Sequence, residues 1–223
     1  MEPAPLMLAS LFVDTLRFIP DHAGLLLQKA AETAELAFTA LGIGLVIALP
    51  LGLWLGHRHR GLTFALGVST IGRALPSVAL IGVGIAILGV GFWNNTVALV
   101  VLAVPPLLTN SYFAVEGADR DVVEAARGMG LTERQILARV ELPLGLPFIL
   151  AGVRVAAVFV IATATLAGIF GGGGLGDIMA SQVRYGLDGV LAAALCVSAL
   201  ALLTAGALGL AQRGAFRRMA PRT

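Results

Sequence analysis

Four stretches of this chain hold no charged residue over lengths that match a lipid bilayer: residues 36–56, 74–115, 155–176 and 189–212. A helix needs about 20 apolar residues to cross the hydrocarbon. The run at 74–115 is long enough for two crossings. GVGFWNN (89–95) marks the break, where glycines and an Asn pair meet a Trp. The sequence therefore specifies an all-α integral membrane protein with five transmembrane helices. LTFALGVSTIG (62–72) is too short to cross alone. It reads as an extension of span two or as a helix along its base. Only 13% of the residues are charged, against about 25% in a soluble domain, so little chain is left for a large soluble domain. The first residues lack a basic flank ahead of their short apolar run, which makes a poor signal peptide.

Arginine sets the orientation. Arg58, Arg60, Arg73, Arg120, Arg127, Arg134, Arg139, Arg154, Arg213, Arg217, Arg218 and Arg222 fall on one side of a five-span layout; Arg17, Lys29 and Arg184 fall on the other. This places the HRHR turn, the 116–154 loop and the C-terminus in the cytoplasm, and the N-terminus outside. The expected organisation is an extracytoplasmic segment at 1–33, a membrane domain at 34–215 and a cytoplasmic tail at 216–223. Trp54 and Trp93 sit near span ends, where amphipathic rings prefer the interface. Small residues at four-residue spacing, Gly52/Gly56 and Gly168/Gly172, read as bundle packing. Pro50, Pro76, Pro105 and Pro106 break the helix ladder locally, which neighbours or a water-filled path must compensate.

Several patterns look chemical without the context their chemistry needs. GGGGLG (171–176) satisfies G-x-G-x-x-G, yet an apolar span precedes it where a nucleotide site needs a strand. Gly171, Gly172, Gly173, Gly174 and Gly176 read instead as an extracytoplasmic turn. His57 and His59 flank Arg58 with no third ligand near, so they read as a solvated positive anchor, with no metal site. Cys196, the one cysteine, forms no internal disulfide. No set of nucleophile and base shares a membrane depth, so no catalytic residue is assigned. The net charge of +2 gives no reason to expect nucleic acid. The span cores lack the ionisable groups that ion-coupled carriers usually place there. A solute path would be weakly polar, with Asn110, Ser111, Tyr112, Thr163 and Thr165 as candidates.

The longest charged passage is EAARGMGLTERQILARVELPLGLP (124–147). DRDVVEAARGMG reads as a short helix, acidic in its first turn and ended at Gly130. Thr132 with Gln135 fits a capping box for a second helix, which should stop near Pro143. Val122, Val123, Ala125, Ala126 and Met129 are expected to share one apolar face of the first helix. Ile136, Leu137 and Val140 do so on the second. A helix, glycine turn and helix between two spans suits a docking knob for a cytoplasmic partner.

Glu124-Ala125-Ala126, then Gly130 after three residues, then Val140-Glu141-Leu142-Pro143 after nine more, resemble the EAA signature of ABC importer permeases. Val140 stands where the signature has Ile. GRALPSVAL (72–80), LLTNSYFAV (107–115), FILAGVRVA (148–156) and ATATLAGIFGGGGLGD (162–177) look like permeases of osmoprotectant importers, which carry glycine betaine, carnitine or choline. The resemblance spans roughly residues 30–215. It implies that the 116–147 loop couples to a separate ATPase subunit through Glu124, Ala125, Ala126, Gly130, Val140, Leu142 and Pro143. It further implies a permease in the bacterial inner membrane that pairs with a second permease subunit, a homodimer being expected. A separate extracytoplasmic substrate-binding protein, against which the glycine turn would lie, completes the set. No cofactor is expected on this chain, since ATP would be bound by the partner. Methionine importer permeases carry a similar glycine-rich turn. A stand-alone channel or secondary carrier would explain the spans but not the capped helix pair.

Overall fold

The computed structural model describes the backbone of residues 4–219, with side chains for 11–216 except Arg73. Arg222 and the side chains of Arg73, Arg217 and Arg218, which enter the arginine asymmetry, lie outside the described residues. The described chain is almost wholly helical, with no strand. Helices α1 (Ala4–Asp21) and α2 (Ala23–His57) are separated by a single residue. Helices α3 (Leu62–Ala74), α4 (Ser77–Leu88) and α5 (Phe92–Glu116) follow. Next come α6 (Arg120–Gly128), α7 (Glu133–Ile136) and α8 (Leu142–Ala167). The chain closes with α9 (Leu175–Ala180) and α10 (Gln182–Met219).

Four helical stretches among the described residues are long and apolar enough to span: Ala23–His57, Phe92–Glu116, Glu133–Gly172 and Gln182–Phe216. The fifth span exists only as the bent pair of α3 and α4. The expectation of a full crossing starting at Ala74 is therefore corrected. Helix α4 holds 12 residues, about 18 Å at 1.5 Å per residue, well short of the hydrocarbon thickness. Pro76 is the cause. It lacks a donor and disfavours the α region in the residue before it, and Leu75 is extended (φ −73°, ψ 122°). LTFALGVSTIG forms most of α3, the other helix of that bent pair. The break at 89–95 is where the sequence places it, with left-handed Gly89 (φ 78°) and Gly91 (φ 156°).

A second correction concerns Pro143, which does not end the helix begun at Glu133. A π turn over Leu137–Glu141 joins α7 to α8, and Leu142 N donates to Leu137 O. A helical proline crowds the carbonyl four residues back, here that of Arg139. The wider ring of the π turn lies at that carbonyl and lets the helix run on. Three side chains that follow the prolines of α5 bond back to carbonyls of their own helix. Thr109 Oγ1 donates to Pro105 O (2.9 Å), Asn110 Nδ2 to Pro106 O (2.8 Å) and Ser111 Oγ to Leu107 O (2.7 Å).

The chain forms two compact units. One gathers the chain up to Ala40, Ser77–Leu99 and Phe159–Leu203. Its core holds Phe18, Leu26, Leu175, Ile178, Ala192 and Ala193. The other gathers Leu41–Pro76, Val100–Val158 and the chain from Thr204. There Gly52 and Gly56 lie directly against the backbone of Leu108 and Tyr112, the close helix approach that small residues permit. The 33/34 and 215/216 boundaries fall inside α2 and α10.

Candidate functional site

Helix α6 begins where the Asp119 carboxylate accepts from Asp121 N (2.9 Å), an N-cap that satisfies one orphan donor. Its other end is a complete Schellman motif. Leu131 N donates to Ala126 O (3.2 Å) and Gly130 N to Arg127 O (3.0 Å). Gly130 carries the left-handed φ of 85° that this turn demands. Thr132 N then donates to Gln135 Oε1 (2.8 Å), so the capping-box pair meets at the start of α7. Four residues, 129–132, thus connect the two helices.

The angle is locked by a small apolar core. Val123, Ala126 and Ile136 are buried, with Ala118, Leu131 and Val140 packed around them. The expected single apolar face of α6 is corrected here: Val123 and Ala126 turn inward, whereas Val122, Ala125 and Met129 are exposed. With i, i+3, i+7 spacing, those three form a stripe on the outer side of the helix. Glu124 and Gly130 are exposed too, and Leu142 and Pro143 are half-buried. The signature residues therefore divide between a surface and the small core that holds it.

His57 was missed as a partner of this loop. It is not a solvated anchor: its side chain is 14% exposed and lies between two carboxylates. Nδ1 is 2.6 Å from Glu141 Oε2 and Nε2 is 3.4 Å from Glu133 Oε2. Glu141 is 2% exposed, and a carboxylate so buried is costly unless paired. Glu133 in turn takes two hydrogen bonds from Arg127, from Nε (3.0 Å) and Nη2 (3.2 Å), which hold the Arg127 guanidinium above its ordinary range. The four groups run from α6 through α7 and the end of α2 to the π turn. Beside them lies a cleft of about 310 Å³ whose wall includes His57, His59, Arg120, Glu124 and Glu141. Nothing in the sequence marks a pair 84 residues apart.

The glycine turn is built by a second long-range set. The left-handed Gly173 and Gly174 (φ 79° each) bring the chain back against α2. Glu32 Oε2 accepts from Gly174 N, and Thr33 Oγ1 accepts from Leu175 N, each at 2.9 Å. Lys29 Nζ stands 2.8 Å from both Glu32 Oε2 and Asp177 Oδ2. Gly171 is exposed, Gly172 half-buried and Gly176 buried. The only hint in the sequence is that Lys29 is the single lysine. Thr33 is buried, so Thr33→Val keeps the shape and strands the Leu175 N–H. We expect a loss of about 1–3 kcal/mol, read as a lower thermal midpoint in detergent; Thr33→Ser should restore most of it.

The candidate path residues bond mainly to their own helices. Besides Asn110 and Ser111, Thr163 Oγ1 donates to Phe159 O (2.8 Å) and Thr165 Oγ1 to Ile161 O (3.3 Å). Tyr112 is buried.

The chain is 36% identical over 193 residues to the carnitine transport permease protein OpuCB of Listeria monocytogenes, covering 86% of this chain and 88% of that one. It is 35% identical over 198 residues to the choline transport system permease protein OpuBB of Bacillus subtilis (strain 168), covering 88% and 91%. It is 32% identical over 201 residues to the osmoprotectant import permease protein OsmW of Salmonella typhimurium, covering 85% and 92%. Among solved structures, a chain of the MetNI methionine ABC transporter in inward-facing conformations superposes with a TM-score of 0.72 at 25% identity, covering 87% of this chain and 98% of that one. The model of the family described as "binding-protein-dependent transport system inner membrane component" matches residues 44–217. This five-span helical chain, with its capped helix pair between the third and fourth crossings, belongs to that family of inner-membrane transport components.

Proposed function

We propose that this chain is the permease subunit of an importer for a small osmoprotectant of the glycine betaine, carnitine or choline type. A separate ATPase subunit docks on the 116–147 helix pair. An extracytoplasmic binding protein delivers the solute, and a second copy of this chain completes the path. The observation that carries this reading is the helix pair itself. A Schellman turn and a three-residue apolar core hold Val122, Ala125 and Met129 at the surface, and the arginine asymmetry supports a cytoplasmic position for it. ATP is bound by the partner, and this chain is not an enzyme. The N-terminus lies outside and the C-terminus inside.

The choice of solute rests on 36% and 35% identity to carnitine and choline permeases, against 25% to the methionine transporter chain. The likeness to the latter keeps methionine as the second reading. The test is reconstitution in liposomes with and without ATPase and binding protein, using labelled choline, carnitine, glycine betaine and methionine. Quaternary ammonium uptake only with both partners and ATP is expected. Methionine uptake in their place would move the solute to the second reading. Flux through the chain alone would make it a channel or carrier. The purified chain should hydrolyse no ATP, and hydrolysis by it would end the division of labour.

A further inference from the structure

The helix leading from the 116–147 pair into the membrane departs from α geometry once before α8, at the π turn of Leu137–Glu141. Such turns recur at functional places. Its last residue, Glu141, is 2% exposed and meets His57, the last residue of α2, at 2.6 Å. The other face of the same imidazole meets Glu133, the first residue of α7. Nδ1 thus faces Glu141 and Nε2 faces Glu133, so the two edges of one ring meet two different elements. One side chain from α2 is therefore seated between the start of α7 and the start of α8. The contact resists separation, because parting it leaves the buried Glu141 carboxyl group without this hydrogen-bond partner. Movement of the helix pair is then carried to the end of α2 rather than lost in sliding.

We propose that His57 is a positioning residue of the transport cycle, the joint that makes the cytoplasmic end of α2 follow the 116–147 helix pair when it is moved. This rests on the reading that an ATPase docks on that pair. It adds a route from the docking surface into the first span, which the signature residues do not supply.

The experiment uses the full complex in liposomes and reads three quantities: ATPase bound per permease, ATP hydrolysed, and solute imported per ATP. His57→Asn places its amide nitrogen where Nδ1 was and still donates to Glu141. His57→Gln places it where Nε2 was and leaves Glu141 without that donor. We expect both variants to bind ATPase as the wild type does. His57→Asn should keep at least half of the solute imported per ATP, and His57→Gln should lose at least tenfold. Glu141→Leu cuts the joint without leaving a buried charge, so it should fold, bind ATPase and show the same tenfold loss. The proposal is overturned by normal import per ATP in Glu141→Leu, by equal losses in the Asn and Gln variants, or by loss of ATPase binding in either. If the wild-type complex holds its ATPase elsewhere than on the helix pair, the docking reading itself fails, and that result is visible before any variant is made.

Discussion

Gly130→Val is expected to stop solute uptake, by tenfold or more, in a chain that still inserts into the membrane at normal levels. The reason is local. Gly130 has φ 85°, and a Cβ built there meets nothing within 4 Å. The cost at the first added carbon therefore lies in the backbone conformation. An L-residue in the left-handed region costs about 1–2 kcal/mol, and a β-branched one is a genuine outlier there. The turn would relax to negative φ, losing the hydrogen bonds of Leu131 to Ala126 and of Gly130 to Arg127. The two helices would then no longer meet at the angle that buries Val123 and Ile136. Gly130 lies outside every spanning stretch, so insertion should not suffer. Gly130→Asn supplies the control. Asn visits the left-handed region readily, so it should keep at least half of wild-type uptake. Valine at wild-type rate, with asparagine no better, would show that the turn does not matter to transport.

Gly176→Val should have the larger effect on the protein itself. Gly176 lies in the first turn of the short α9 and is buried. A Cβ there would fall onto the Thr165 carbonyl oxygen, with the Cα and carbonyl carbon of Gly168 just behind. All three are backbone atoms that no rotamer change can move aside. Overpacking of this kind costs about 1–3 kcal/mol even where side chains can shift, and here they are not the obstacle. Even Gly176→Ala should lower the detergent-extracted, monodisperse fraction, and the valine variant should fail to accumulate. Gly24→Ala is the counterpart, since its Cβ meets nothing within 4 Å, and it should behave as wild type. A stable Gly176→Val protein would mean that the glycine turn is packed otherwise than described.

These two glycines show how unevenly the site was legible. Gly130 could be read from its neighbours in the chain, because a C-cap depends on residues within one turn of it. Gly176 could be read only as part of a glycine-rich turn. Its reason, the carbonyl of Thr165, belongs to a helix that returns in three dimensions. Pro143 shows a failure of local reasoning. A proline ordinarily ends a helix, but a π turn upstream absorbs the clash and the helix runs into the membrane. Val122 and Met129 failed for another reason. Small apolar residues crowd α6 on more than one side, and composition alone cannot say which side is covered.

The all-α membrane class and the helix–glycine–helix of 116–147 followed from the chain itself. Each depends on terms that act locally or act on whole segments: the cost of charge in hydrocarbon, the 20-residue thickness, the φ of one glycine. The ion pairs of His57 with Glu141 and of Lys29 with Asp177 were decided by tertiary structure alone. An interaction between residues 84 or 148 positions apart leaves no periodicity to find. Its energy exists only once the helices have packed and brought the groups together.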